Sequence, residues 1–233
     1  MVNYDDLPLF PLHTVLYPKI PMPLHIFEPR YREMIWRCLD QNASFGIALI
    51  QDGAETGQAA LPCSVGTTAC ITQFDEMPDG RLNIVVVGET RFRIWETRQD
   101  HPYLSARVAP FAEQARDAVS LPSAVDSVAS LFRTYIKSLL ARTGQTLSLL
   151  QLPHEPEYLS YAVAHSLQIA LPEKQELLEI VDTEPRLRRE IDILKQEIEA
   201  CSLLPPRLRN IPTPEKELVP ANTQELGKLS SLN

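Results

Sequence analysis

The run Leu7-Pro8-Leu9-Phe10-Pro11-Leu12 is soon followed by Pro21-Met22-Pro23-Leu24-His25-Ile26-Phe27-Glu28-Pro29-Arg30-Tyr31, and both stretches mix prolines with apolar side chains. Such sequence is too apolar for a disordered tail. Because proline lacks a backbone N–H, strands formed here should be short, edge-like or interrupted. We therefore expect an extended segment that lies along a β structure.

Downstream of these runs, the sequence predicts one helix and then several strands. Pro29 suits the first turn of a helix because its φ angle is already fixed. Apolar residues then recur at helical spacing, at Tyr31, Met34, Ile35, Cys38 and Leu39. Strand-like runs cover residues 45–50, 65–74, 82–87, 91–95 and 103–108, and Gly88 is expected to end the third of them.

The second half of the chain has helical spacing instead. The first helix is indicated by Val125, Val128, Phe132, Tyr135 and Leu139. Three more helices are predicted, over residues 156–170, from Pro172, and from Pro185, and the four together suggest a small helical bundle. The expected organisation is a β subdomain over residues 1–115, a helical bundle over residues 116–202 and a proline-rich tail over residues 203–233.

Composition and charge exclude several classes of protein. The 233 residues include only 8 Gly beside 20 Pro, so glycine-rich phosphate-binding loops are not expected. The formal net charge of -8 disfavours nucleic-acid binding. The longest uncharged runs are polar or too short to span a membrane. The acidic start lacks the layout of a signal peptide, and four scattered cysteines fit a reducing compartment, so we expect a cytoplasmic protein.

Searches for catalytic motifs give no positive result. The sequence contains no P-loop, no G-x-G-x-x-G fingerprint and no G-x-S-x-G elbow. His154-Glu155 resembles the start of a zinc-binding H-E-x-x-H motif, but Tyr158 stands where the second histidine is needed. We therefore expect no catalytic residues, no metal site and no cofactor.

A basic and aromatic strand is the one feature that suggests nucleic acid. Arg91, Arg93 and Arg98 accompany Phe92 and Trp95, a combination that can stack on RNA bases. The alternation of the strand favours a simpler interpretation, in which Phe92 and Ile94 are buried and the arginines lie in solvent.

The two opening runs resemble the N-terminal (substrate-binding) domain family of Lon proteases. The resemblance continues at residues 45–50, 65–69, 78–81 and 91–94, and covers roughly residues 7–200. It implies an α+β fold, in which a PUA-like antiparallel β-barrel with one early helix precedes a C-terminal helical bundle. The full protease also needs ATPase and protease domains. Here no P-loop is present and prolines follow Leu203-Leu204, so we expect a stand-alone member of the family.

The resemblance implies a non-catalytic module that binds polypeptides. We expect it to engage unfolded or tagged polypeptides, or to act as an adaptor for a partner such as a Lon-type protease. The candidate peptide-binding residues are Glu28, Arg30, Arg32 and Glu33, which place polar groups at the start of the first helix. A simpler interpretation is that Glu28 and Arg30 cap the helix and form an ion pair. Two other functions stay open, an RNA-binding PUA-like module and a hydrolase with an unrecognised site.

Overall fold

The structure is a computed structural model and describes residues 2–55, 60–113, 121–143 and 150–203. The chain divides into two compact units. The β unit consists of Met1–Gln114 and Ile169–Val181, and the helical unit consists of Ala115–Gln168 and Asp182–Asn233. The predicted proline-rich tail lies, after Leu203, outside the described residues.

The described residues form seven strands and five helices, joined by turns and loops. The strands are β1 Leu7–Leu12, β2 Pro21–Ile26, β3 Phe45–Asp52, β4 Leu61–Pro62, β5 Val65–Glu76, β6 Leu82–Arg98 and β7 Ser105–Pro110. The helices are α1 Pro29–Asp40, α2 Leu121–Thr143, α3 Pro156–Ser166, α4 Leu171–Glu179 and α5 Thr183–Leu203.

The strand pairings of the β unit close into a ring. The order is β1, β7, β6, β5 and β3, and β3 pairs again with β1. Every pairing in this ring is antiparallel except the parallel pair of β1 and β3. The two additional strands are β2, which pairs with β6, and β4, which pairs with β3. The predicted antiparallel β-barrel with one early helix is confirmed, with one parallel pair.

The proline-rich strand β1 is short and has a partner on both sides, so of the expected features (short, edge-like or interrupted) it is not edge-like. Backbone N–H groups of alternate residues point to opposite sides of a strand. The Leu9 N–H donates to the Leu104 carbonyl on the β7 side. Pro11, two residues later, faces the same side, but the register of β1 with β7 ends at Pro8. Pro8 faces β3, whose pairing begins only at Leu9. Both missing donors thus lie outside the paired stretches.

Strand β2 is the edge strand that the sequence predicted. The Ile20 carbonyl accepts from the Gly88 N–H on β6, so alternate residues from Ile20 onward direct their backbone groups to β6. Pro21 and Pro23 then face the free edge, where they offer no N–H. This edge cannot form a regular ladder with an added strand.

Strand β6 runs through Gly88, where the sequence predicted a strand end. The Gly88 N–H and carbonyl both bond the turn at Lys19 and Ile20. A Cβ on Gly88 would lie 2.3 Å from the Tyr17 carbonyl oxygen. The glycine therefore allows a close backbone approach and does not interrupt the strand.

Helix α1 covers one face of the sheet formed by β5, β6 and β2. Its buried residues are Tyr31, Met34, Ile35 and Cys38, which follow the predicted helical stripe. They pack with Phe45, Leu82 and other strand residues in one hydrophobic cluster. Each such side chain contributes roughly 1.5–3 kcal/mol when fully buried. Burial also raises the pKa of the Cys38 thiol to about 11.

Helix α4 belongs to the β unit, although the sequence placed it in a bundle of four helices. One of its attachments is Arg91, which is only 3% exposed, whereas the sequence left it in solvent. Its guanidinium donates to the carbonyls of Leu178, Ile180 and Val181 at 2.6–2.8 Å. At the other end of α4, the Tyr17 hydroxyl donates to the Lys174 carbonyl at 2.7 Å.

The helical unit contains α2, α3 and α5 among the described residues. Helix α2 buries Val128, Phe132 and Tyr135 as its spacing predicted. Helix α3 ends at Ser166, four residues earlier than expected. Helix α5 buries Arg186 and Glu190 beside its apolar residues, which the sequence did not indicate. In the part of the chain that the structure describes, no helix is long and apolar enough to cross a membrane.

Candidate functional site

Two of the four candidate residues are bonded to each other at the start of α1. The Arg30 Nε donates to Glu28 Oε2 at 3.1 Å, and Arg30 Nη2 donates to the Glu55 carbonyl at 3.1 Å. The Arg30 guanidinium also lies 4.5 Å from the centre of the Tyr31 ring. Glu28 occupies the N-cap position, but its side chain makes no capping hydrogen bond. The expected ion pair is therefore present and the expected cap is not.

The other two candidates, Arg32 and Glu33, have no such partners. Arg32 is half-buried, and its side chain reaches the turn between β5 and β6, where a Cβ on Gly80 would lie 2.6 Å from Arg32 Nη2. Arg32 Nε is buried and has no hydrogen-bond partner. Neither Arg32 nor Glu33 forms an ion pair with a described residue. Arg32 is thus an unneutralised cation at the surface of the β unit.

Two exposed aromatic rings, Trp36 and Phe74, contact each other on the Arg32 side of α1. Trp36 lies one helical turn after Arg32 on the same side of α1. The Trp36 ring contacts Phe74 edge to face, with the ring centres 5.0 Å apart. Trp36 is 36% exposed and Phe74 is 38% exposed. Large rings that keep this much exposure side by side indicate a contact surface rather than core packing.

Phe27, two residues before the start of α1, is 53% exposed. Its ring stacks beside His25, at 6.2 Å between centres. His25 in turn bonds Asn83 and Arg81, on the hairpin whose turn contains Gly80. We use "aromatic surface" for the set Phe27, Arg32, Trp36 and Phe74. Helical spacing relates Arg32 to Trp36, but only the fold brings Phe74 to them.

A polar cluster occupies a different flank of α1. Arg37 Nη1 donates to the Tyr103 hydroxyl at 2.9 Å, and Arg37 Nη2 lies 3.8 Å from an Asp6 carboxylate oxygen. His101 lies 3.4 Å from the same Asp6 oxygen. These contacts join α1 to the segments beside β1 and β7. Unlike Arg32, Arg37 therefore has both hydrogen-bond and ion-pair partners.

The basic and aromatic strand does not form one RNA-binding face. Arg91 is buried and bonded to backbone carbonyls, so it cannot contact a nucleic acid. Phe92 is buried as expected, while Arg93 and Trp95 are exposed. Arg93 stacks on Phe111, with 4.7 Å between its guanidinium carbon and the ring centre. Within the residues that the structure describes, no three His, Cys, Asp or Glu side chains gather as metal ligands would.

The fold agrees with a family match. The model of the ATP-dependent protease La (LON) substrate-binding domain matches residues 6–196. The chain therefore belongs to the family of Lon substrate-binding domains.

Known relatives extend well beyond the matched region. The chain is 27% identical over 201 residues to a Lon protease of Dictyoglomus thermophilum, covering 85% of this chain and 25% of the relative. It is 28% identical over 200 residues to a Lon protease of Brevibacillus choshinensis, covering 85% and 26%. The chain thus spans about a quarter of the length of these curated relatives.

Solved structures of the same domain are also similar. A Lon N-terminal domain protein from Xanthomonas campestris matches with a TM-score of 0.62 and 28% identity, covering 80% of this chain and 97% of that one. The N-terminal domain of a Mycobacterium avium complex Lon protease matches with a TM-score of 0.59 and 20% identity, covering 82% and 98%. At 20% identity this second likeness concerns the fold alone.

Proposed function

We propose that this chain is a non-catalytic, cytoplasmic module that binds unfolded or tagged polypeptides through the aromatic surface. The observation that carries the proposal is the exposed contact between Trp36 and Phe74 beside the unpaired Arg32. Unfolded chains expose the apolar side chains that such rings bind. Membership of the substrate-binding family supports the same role.

The mode of binding follows from the edge strand. Addition of a peptide strand to β2 is disfavoured, because Pro21 and Pro23 remove donors from its free edge. Affinity would come instead from apolar side chains packing on Trp36 and Phe74, with Arg32 supplying a polar contact. Glu33 lies exposed on α1 beside them, whereas Glu28 and Arg30 satisfy each other and would support the helix start.

The proposal can be tested by measuring the affinity for a labelled, chemically unfolded model protein. Replacing both Trp36 and Phe74 with Ala should weaken binding at least about ten-fold, because central aromatic residues dominate such interfaces. The matched control is Trp95→Ala. Trp95 lies in the C-terminal half of β6, outside the aromatic surface, and its ring is 69% exposed. The control should change the affinity less than about two-fold. Equal losses in both variants would contradict the assignment of this surface.

An adaptor role needs a separate experiment. We expect the chain to speed degradation of the same unfolded protein by a purified Lon-type protease. The double variant Trp36→Ala, Phe74→Ala should remove the effect, and Trp95→Ala should retain it. If the chain binds the unfolded protein yet leaves the degradation rate unchanged or lower, it is a binding module and not an adaptor.

A further inference from the structure

The arginines at α1 and at the neighbouring hairpin differ in how their charge is neutralised. Arg30 pairs with Glu28, Arg37 with Asp6, and Arg81 with Asp79, at N···O distances of 3.0, 3.8 and 2.7 Å. Arg32 lies among them and forms no ion pair with a described residue. The carboxylates of Glu28, Asp6 and Asp79 are therefore already paired with other arginines.

The Arg32 guanidinium is also held in place. Its Nη2 fills the space that a side chain on Gly80 would need, at a turn residue with a φ of +78°. Trp36 lies one helical turn later on the same side of α1, where its ring contacts Phe74. A half-buried guanidinium has lost part of its hydration, so a charge-assisted hydrogen bond to it is worth more than one in open solvent.

Building on the proposed function, we propose that the aromatic surface selects polypeptide segments in which an Asp or Glu side chain adjoins a large apolar side chain. The carboxylate pairs with the Nη groups of Arg32, and the apolar side chain packs on Trp36 and Phe74. Arg32 is a specificity-determining residue, and the two rings supply the affinity that does not depend on charge.

The net charge of the chain acts against the binding of acidic peptides. At -8, and with Glu33 beside Arg32, the long-range field repels an acidic peptide and attracts a basic one. Nonspecific electrostatics therefore predicts the opposite preference. A preference for acidic segments can come only from a local cation.

The experiment uses short labelled peptides with amidated C-termini and two Phe residues, in which the residue after each Phe is Glu, Gln or Lys. We expect the Glu peptide to bind about five-fold more tightly than the Gln peptide, and the Lys peptide to bind weakest. Arg32→Gln should abolish the preference for Glu over Gln while leaving the affinity for the Gln peptide nearly unchanged. Arg32→Glu should reverse the order, in favour of Lys.

The matched control is Arg30→Gln, because Arg30 carries the same charge on the same helix but is already paired. It should keep the preference for Glu. Circular dichroism and thermal unfolding of each variant check that the fold is intact.

The outcomes separate this inference from the function on which it rests. If all peptides bind equally, or if Arg32→Gln keeps the preference for Glu, the role of Arg32 is wrong while polypeptide binding stands. A further Gln peptide with a free C-terminal carboxylate tests the other source of the same charge. If only that peptide is preferred, selection of acidic side chains is wrong. If no peptide binds and Trp36→Ala, Phe74→Ala has no effect on the unfolded protein, both proposals fail.

Discussion

Each of the two units buries an arginine, but the partners differ. In the β unit, Arg91 donates to three backbone carbonyls at the C-terminal end of α4 and just beyond it. In the helical unit, Arg186 Nε donates to the Ser160 hydroxyl at 2.7 Å, and its guanidinium lies 4.1 Å from the centre of the Tyr161 ring. Arg91 thus donates to main-chain carbonyls, with the Glu113 carboxylate 3.7 Å away, whereas Arg186 donates to a side-chain hydroxyl and stacks on a ring.

The difference has a consequence for pH. The carbonyls that accept from Arg91 do not titrate. The Ser160 hydroxyl donates to Glu190 Oε1 at 2.6 Å, while Glu190 Oε2 is buried without a hydrogen-bond partner. Burial raises the pKa of Glu190 to about 8, although Ser160 and Arg186 act against the rise. The helical unit therefore contains a buried carboxyl with a raised pKa beside its arginine, whereas the hydrogen bonds of Arg91 go to carbonyls that do not titrate.

The largest effect should come from breaking the Arg91 contacts. Arg91→Met keeps much of the side-chain volume but leaves three carbonyls and Glu113 without their cation. We expect a loss of about 3–5 kcal/mol of stability in the β unit. Both tryptophans, Trp36 and Trp95, lie in this unit, so their fluorescence in urea reports its unfolding.

The neighbouring arginine provides the control. Arg93→Met removes an exposed guanidinium, and its effect should stay within about 0.5 kcal/mol. Arg91→Met should also speed hydrogen exchange in residues 169–181, because α4 loses its attachment to β6. An unchanged urea midpoint would show that Arg91 is not what holds this segment.

The second prediction concerns Glu190 and the pH dependence of the helical unit. The pKa of Glu190 is higher in the folded chain than its ordinary value of 4.5, so the folded chain holds the proton more tightly. Its stabilising contribution is complete below about pH 4.5 and is lost as the pH rises through about 8. Hydrogen-exchange protection of α3 and α5 should fall between pH 5 and pH 8 by the equivalent of a few kcal/mol.

Glu190→Gln mimics the protonated carboxyl and should remove that fall. Protection, corrected for the intrinsic pH dependence of exchange, should then be nearly level across the same range. The β strands provide an internal control in the same spectra. A fall of equal size in the variant would show that another group causes the pH dependence.

Local patterns predicted much of the fold. The stripe of Tyr31, Met34, Ile35 and Cys38 located α1, and the strand-like runs located β3, β5 and both halves of β6. Long-range approach could not be predicted from such patterns. Gly88 looked like a strand end because nothing nearby in the sequence shows that the Tyr17 carbonyl, 71 residues earlier, needs its missing side chain.

The sequence pattern placed Arg91 in solvent for a related reason. Alternation assigns a residue to one of two faces, and it treats the face with arginines as solvent. That face of β6 is covered at Arg91 by the end of α4, a segment almost 90 residues later. Buried polar groups that meet partners distant in sequence leave no periodic signal, and the same holds for Glu190 on α5.

The candidate site was only partly predictable. The cluster of charges at the start of α1 was visible, but which arginine lacks a partner depends on Glu55, Asp6 and Asp79, which come from other segments. Trp36 could be placed on the Arg32 side by helical spacing. Its contact with Phe74 depends on the register of β5, where two irregularities shift the pairing with β6.

The smallest expected effect concerns Ser160 in the helical unit. Ser160→Ala removes the hydroxyl that accepts from Arg186 and donates to Glu190, and it should cost about 1–3 kcal/mol at pH 5. Because the Ser160 hydrogen bond lowers the pKa of Glu190, its loss raises that pKa further. The fall in protection of α3 and α5 should then extend to higher pH than in the parent chain. In the double variant Ser160→Ala, Glu190→Gln, the cost at pH 5 should persist while the pH dependence disappears. If Ser160→Ala instead shifts the fall to lower pH, Ser160 does not stabilise the ionised form of Glu190, and the pairing of these two side chains is wrong.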